Sequence, residues 1–426
     1  MKNNFVIFIR HFAALDHVLP FIDYVLINKK GTVQLILERE ELPGAQDHLE
    51  FVNRIYKVYS AYFNDIAFSP FYKIIFRSYQ KFLNADLSFY RRMPNSNFFL
   101  TVINAVGMRV YEFVLSGAIK RFIYGLRDSC VVMGAFGSEL QFPAKYVVKY
   151  ARKQNITTRC YPHGIYTSAD IYNISKGKLK YSDLIKKKIV NKIRGKRYYY
   201  EKYLTCYYQK DTHFNSPSSG EFEEHKRIIE VGNLRYTYEW NDVIKSYLLG
   251  KYNFEYGDQA KLNVVLFISN AKYNVIPEML CKTIKALEEL EHINIVYRPR
   301  YIADLVNADN PSFKGCNALD IPSIVLSDWA DIGIVYGSSI GFQLLLDKVP
   351  IIVPSYIHNN STIYEKYDVC IKAENIKKLI WILSHDKKAI NDFVDHEKSR
   401  KFINDMFYGN KTYQMLMEAY FNIVVG

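Results

Sequence analysis

Apolar residues along the chain fall into short unbroken runs that alternate with longer segments of helical spacing. FVIFIR (5–10) is an apolar run of strand length. ALDHVLPFIDYVLIN (14–28) repeats its apolar positions every three or four residues, and TVQLIL (32–37) is strand-like again. Strand, helix, strand is the opening of a parallel α/β sheet. The alternation resumes with CVVMGAF (130–136), SELQFPAKYVVKYARKQN (138–155, one helix) and ITTRCYPHG (156–164). YLTCYY (203–208) and RIIEVGNLRYTYEW (227–240) follow. It begins a second time with KLNVVLFIS (261–269), VIPEMLCKTIKALEELE (275–291) and INIVYRPR (293–300). SIVLSDWADIGIVYGSS (323–339), IGFQLLLDK (a helix), PIIVP (a strand) and NIKKLIWILSHD continue it, and the C-terminus reads as helix to about Val424. Residues 45–124 read mostly as helices whose aromatic stripes belong to a core.

Two such alternations, with a junction near 240–260, predict an α/β protein of two Rossmann-like lobes facing a central cleft, with a helical elaboration in the first. The expected division is 1–240, 241–408 and a closing helix over 409–426. Ligands of open parallel sheets sit beyond the carboxyl ends of the strands. Strand-ending segments are therefore where chemistry is expected.

A chain of 426 residues has room for two or three domains. At 49% hydrophobic residues it can bury a core, and it shows no internal repeat. The six cysteines are scattered without a Cys-x-x-Cys pair, which argues against a zinc site or disulfide framework and for a reducing compartment. The apolar stretch before Arg10 is too short for a signal peptide, and no apolar run is long enough to span a bilayer. A cytoplasmic location is expected. The formal charge of +13 is uneven: residues 176–202 hold eleven Lys/Arg against Asp183 and Glu201, and Tyr198, Tyr199, Tyr200 and Tyr203 lie at its end. Such a stretch suits an anionic membrane surface, or by charge alone a nucleic acid or other polyanion.

Three strand ends hold anion-binding chemistry. In YGSSIGF, Gly337 permits a sharp turn, and Ser338 or Ser339 can cap the following helix, whose first N–H groups attract a phosphate. YRPR places Arg298 and Arg300 at another strand end of the same lobe, suited to phosphate or carboxylate. YPHG ends a first-lobe strand with His163, an acid, a base or a phosphate donor. GNLRYTYEW offers Arg235 at the junction. There is no Asp-x-Asp metal motif, P-loop, Gly-x-Gly-x-x-Gly fingerprint or Gly-x-Ser-x-Gly elbow, so no metal or cofactor is implied.

PHG, VGNLRYTYEW, RPR, YGSSIGFQLLLDKVPIIVP and YEKYDVC, in that order over roughly 128–380, resemble bacterial surface-carbohydrate and capsule biosynthesis glycosyltransferases of the GT-B architecture. That set includes Kdo and sialic-acid transferases and relatives of CDP-glycerol glycerophosphotransferases. The resemblance implies a nucleotide-sugar donor held in the second lobe, with a cytidine nucleotide favoured, and an oligosaccharide or lipid-linked acceptor in the first. Ser338 and Ser339 would hold donor phosphate, Arg298 or Arg300 would flank it, and His163 would face it. Arg298-Pro299 replaces a His-Pro pair of many relatives, and Gln343 replaces a glutamate that often contacts donor sugar or ribose. A sugar transfer also needs a base, for which His11, Asp16, His17 and Glu139 are further candidates at first-lobe strand ends. Nothing in the sequence selects among them.

The expected activity is transfer of a sugar to a surface polysaccharide or lipid-linked acceptor, by an enzyme held near the membrane through residues 176–202 and without a nucleic-acid partner. Transfer of a polyol phosphate from a CDP-polyol, or a non-catalytic scaffold of capsule assembly, are the alternatives. The Arg298 and Gln343 departures favour the latter.

Overall fold

The computed structural model describes residues 3–38, 44–55, 59–62, 70–75, 78, 98–126, 130–162, 167, 198–207, 228–268, 275–299, 315–358 and 361–426. Its strands are β1 (Asn3–Ile9), β2 (Gly31–Leu37), β3 (Tyr59–Tyr62), β4 (Cys130–Ala135), β5 (Thr157–Tyr161), β6 (Lys202–Thr205) and β7 (Ile228–Glu230), then β8 (Leu262–Ile268), β9 (Ile293–Pro299), β10 (Cys316–Asn317), β11 (Ile332–Val335), β12 (Ile351–Pro354) and β13 (Ile371–Ala373). The helices are α1 (Phe12–Ile27), α2 (Gln46–Ile55), α3 (Phe98–Tyr124), α4 (Ala144–Lys153), α5 (Tyr238–Lys251), α6 (Pro277–Glu288), α7 (Ser323–Trp329), α8 (Ile340–Leu346), α9 (Ile363–Lys366), α10 (Ile376–Leu383), α11 (Lys387–Asp392), α12 (His396–Ile403) and α13 (Tyr413–Val425).

Two parallel sheets result. The first runs β3-β2-β1-β4-β5-β6-β7 and the second β10-β9-β8-β11-β12-β13. Every pairing within them is parallel. Helices cover both faces, so the central strands read as nearly continuous apolar runs. Phe5, Val6, Ile7 and Ile9 of β1, and Val264, Val265 and Leu266 of β8, are fully buried. This is the two-lobed α/β architecture expected from the alternation. Within residues 45–124 the structure adds a short strand, β3, at the edge of the first sheet.

The segment 138–155 is not one helix. Ser138–Leu140 forms a 3-10 turn, and α4 starts only after Pro143. Proline lacks the N–H a continuing helix needs and clashes with the preceding turn.

The two lobes share one apolar core. Ile7, Leu35, Val131 and Met133 of the first sheet belong to the same cluster as Val265, Val296, Val335 and Val353 of the second. Tyr236, Phe342 and Phe407 join them: the Tyr236 ring lies 5.2 Å from that of Phe342 and 5.0 Å from that of Phe407. Among the described residues no helix is long and apolar enough to cross a membrane.

Candidate functional site

Each sheet reverses its strand order once. β1 lies between β2 and β4, and β8 lies between β9 and β11. The crevice beyond the carboxyl ends of such strands is where a doubly wound sheet receives a ligand.

In the second lobe, β11 leads through Tyr336 into Gly337, Ser338 and Ser339 and then α8. Gly337 has φ +62°, a left-handed turn that a side chain resists. Ser339 occupies the N-cap without capping through its side chain; its hydroxyl lies beside the Tyr236 phenol. Ser338 Oγ accepts the Ile340 N–H at 3.4 Å, and the Ser338 carbonyl accepts from the Tyr364 hydroxyl at 2.8 Å. Tyr364 lies so close to Gly341 that a Cβ there would come within 2.4 Å of its ring. The helix is two turns long and stops before Asp347 and Lys348, because Lys348 turns left-handed at φ +59°.

In the first lobe, β1 leads into His11, which caps α1: its Nδ1 accepts the Ala14 N–H at 3.1 Å, and its ring stays half-buried. β4 leads into Ser138 and Glu139. Glu139 is 1% exposed. Tyr203 donates to its Oε1 at 3.3 Å, and among the described residues Oε2 has no hydrogen-bond partner. Burial pushes its carboxyl up to about 7.

Arg235 joins the two edges. Its Nε donates to Asp16 Oδ1 at 2.7 Å on the first turns of α1, and its Nη1 donates to Gln343 Oε1 at 3.1 Å on α8. The carboxyl edges of the two sheets are therefore held opposite each other at the width of one arginine. His48 Nε2 lies 3.1 Å from the same Asp16 oxygen. Burial alone would raise the Asp16 carboxyl, but Arg235 and His48 hold it well below the usual carboxylate range. Gln343 Nε2 donates to Asp347 Oδ2 at 3.0 Å and also to Asn241 Oδ1. Asn241, Lys245 and Ser327 all donate to Asp347, at 2.9, 3.0 and 2.6 Å. The result is a buried polar chain from α1 to α7.

Of the residues expected at the site, Asp16, Arg235 and Gln343 meet directly, and Gly337, Ser338 and Ser339 stand beside them. Asp16 is an ion-pair partner here, not an open carboxylate. His17 is buried, with Nδ1 3.4 Å from Asn233 Nδ2 and its ring edge-on to Tyr236. Arg298 lies apart at the end of β9. It spends Nε on the Ile321 carbonyl at 3.0 Å and Nη1 on the Pro299 carbonyl at 2.6 Å. His163, Arg300 and residues 176–197 of the basic segment lie outside the described residues. Two of its tyrosines, Tyr200 and Tyr203, are core side chains at 1% exposure, packed with Val148 and Cys160. They are not interfacial aromatics: the strand β6 carries Tyr203 into the sheet.

Sequence reasoning missed Tyr236, Asn241, Asp347 and Tyr364. One signal was present: Gln343 and Asp347 stand four apart, with Asp347 as the C-cap of the helix that carries Gln343, a spacing at which side chains meet.

No family model matches the chain, and no curated protein matches it in sequence. Solved structures match it along nearly its whole length. The glycotransferase of kitacinnamycin is 11% identical, with TM-score 0.52 and 97% of each chain covered. Arabidopsis thaliana UGT89C1 complexed with UDP-L-rhamnose is also 11% identical, with TM-score 0.52 and both chains fully covered. UDP-GlcNAc 2-epimerase from Neisseria meningitidis bound to UDP-GlcNAc is 11% identical with TM-score 0.51, covering 99% of this chain and 100% of that one. At this identity the likeness is one of fold: two parallel α/β lobes of the GT-B type.

Proposed function

We propose that the protein is a glycosyltransferase that takes its sugar from a nucleotide-activated donor. The carrying observation is Arg235, which holds the switch-point edge of one lobe opposite that of the other. The Gly337-Ser338-Ser339 turn takes the donor phosphate on its backbone N–H groups and the Ser338 hydroxyl; Arg300, or Arg298 once it releases the Ile321 and Pro299 carbonyls, comes to its flank. Stabilising charge as it develops on the leaving phosphate is the largest service such a turn gives. On the facing edge, Glu139, His11 or His163 takes the proton of the acceptor hydroxyl. Glu139, lifted to about 7 by burial, has the basicity of a base working near neutrality. Asp16, His17 and Gln343 position the edges. The acceptor is a surface polysaccharide or lipid-linked saccharide, and the basic segment 176–202 keeps the enzyme at the inner membrane face.

Two of the neighbours named above hold UDP-sugars, whereas the sequence resemblance favours a cytidine nucleotide. A thermal-shift panel of UDP, CMP, CDP, GDP and dTDP on the full chain, repeated on Ser338→Ala and Arg298→Ala, decides between them. A ligand that binds only the native state adds about 2.7 kcal/mol at a hundredfold excess over Kd. One nucleotide is expected to raise the Tm, and both variants to lose part of the shift. No shift with any nucleotide would overturn the reading. A phosphorus-containing linkage in the product would show polyol-phosphate transfer instead.

A further inference from the structure

Twelve large apolar side chains are exposed among the described residues, and six belong to the helical elaboration of the first lobe: Phe71, Ile74, Val110, Phe113, Val114 and Tyr124. Val110, Phe113 and Val114 stand at i, i+3 and i+4 on α3 and so form one face. Phe113 is 77% exposed. Phe71 and Ile74 project from the neighbouring short helix 70–75, which is tied to α3 where the Arg121 guanidinium lies 5.4 Å above the Tyr72 ring.

The charge around this knob is one-sided. Helix 70–75, α3 and α4 together carry eight Lys and Arg and one carboxylate. That carboxylate, Glu112, is buried and taken up by Lys145 and Arg109. Lys120 and Arg121 are exposed on the same flank, and Lys120 lies 5.2 Å over the Tyr124 ring. Arg109 Nη1 also donates to the Tyr146 hydroxyl at 3.0 Å on the first turn of α4. α4 starts at the carboxyl edge of the first sheet, so residues 109–114 stand level with the edge that bears His11 and Glu139.

We propose that this face docks on an anionic phospholipid bilayer, with Phe113 and its neighbours entering the acyl boundary and the flanking cations meeting the headgroups. Long cationic side chains suit this place because their stems lie on apolar surface while their heads reach the phosphates. A second copy of the chain is a poor occupant. A two-fold contact sets the same patch against itself and would bring these cations together with no free acid on the described residues of these helices to oppose them. The inference stands apart from the transferase reading, although a lipid-linked acceptor would then be delivered to the rim of the cleft.

Co-sedimentation of the full chain with phosphatidylcholine vesicles, with and without phosphatidylglycerol, tests it. Binding is expected to the anionic vesicles only and to fall with salt. Phe113→Ser with Val114→Ser, both solvent-facing and safe for folding, should weaken partition about tenfold or more. Lys120→Gln should weaken it about fivefold. The Phe113 effect should persist when Lys186, Lys187 and Lys188 are changed to Gln, which separates this face from the basic segment. Indifference of binding to Phe113→Ser with Val114→Ser, or no binding by the wild type, would overturn the proposal. So would loss in that variant of a concentration-dependent self-association in place of vesicle binding. Its nucleotide-induced thermal shift should match the wild type, so a failure here is read separately from a failure of the donor site.

Discussion

Gln343 shows what a single residue decides. Its amide group gives two hydrogen bonds, to Asp347 and Asn241, and its oxygen takes one from Arg235. A glutamate at this position, as in many proteins the sequence resembles, would aim a second carboxylate at Asp347 and could donate nothing. Gln343→Glu should therefore destabilise the fold by roughly 2–4 kcal/mol in urea denaturation. Asp347→Asn in the same chain should restore most of the loss; if it restores none, the amide is not held by Asp347. The sequence exposed the departure from its relatives but not the cause, since the cause is a set of partners: Arg235 in the 3-10 turn Leu234–Tyr236, Asn241 on α5 and Asp347 at the end of α8. Arg235 and Asp16 were both singled out as site residues, yet their pairing across 219 positions had no local signature. Glu139 is the opposite electrostatic case. Folding lifts its carboxyl from 4.5 to about 7 by burial. Between those values the folded protein holds a proton the unfolded chain has released, so stability falls as pH rises through that window. Glu139→Gln should make the protein more stable than wild type by about 3 kcal/mol at most above neutrality, with the gap closing toward about pH 4. A gap that does not change with pH would show the carboxyl to be an ordinary one.

Elements were legible where their pattern was local. β1, α1, β2 and, in the second lobe, β8, α6, β9, β11 and β12 follow the apolar alternation to within a few residues, because both faces of a central parallel strand are buried and every position reports the same environment, whereas the short edge strands β10 and β13 were not expected. Boundaries set by backbone conformation were less so. The helix expected over 138–155 splits at Pro143, and α8 ends before Asp347 because Lys348 adopts a left-handed turn that its residue type does not announce. β3 was hidden in a region of helical spacing, since a short edge strand pairs along one side only and owes its form to β2. The candidate site was legible as chemistry at strand ends. Its arrangement was not, because Tyr236 and Tyr364 reach Ser339 and Ser338 from separate elements. Gly341 is explained in the same way: its missing Cβ admits the Tyr364 ring that steadies the turn.

At the scale of the molecule, the lobes are two in topology and one in packing. A single apolar cluster includes the inner faces of both sheets. The C-terminal helix α13 returns to the first lobe: the Phe421 ring lies 6.1 Å from that of Phe5 and 6.2 Å from that of Tyr24, and Arg159 Nε donates to the Ile423 carbonyl at 2.9 Å. Tyr420, buried at 2% exposure, packs beside Phe21. Such a core predicts one cooperative transition in which neither lobe survives the other. The three tryptophans allow a sharp test, because Trp240, Trp329 and Trp381 lie on α5, α7 and α10 and none is in the first-lobe sheet. Fluorescence therefore reports the junction and second lobe, and far-ultraviolet dichroism the whole chain. The two melting curves should coincide in the wild type, as a two-state unit requires. Removing residues 413–426 bares first-lobe core at Phe5 and Phe21 and should lower the Tm seen by fluorescence as much as that seen by dichroism. A fluorescence transition that stays in place while the dichroism curve splits would mean that the shared cluster does not couple the lobes. In that case Arg235, with its bonds to Asp16 and Gln343, would be left as the main tie between the two edges.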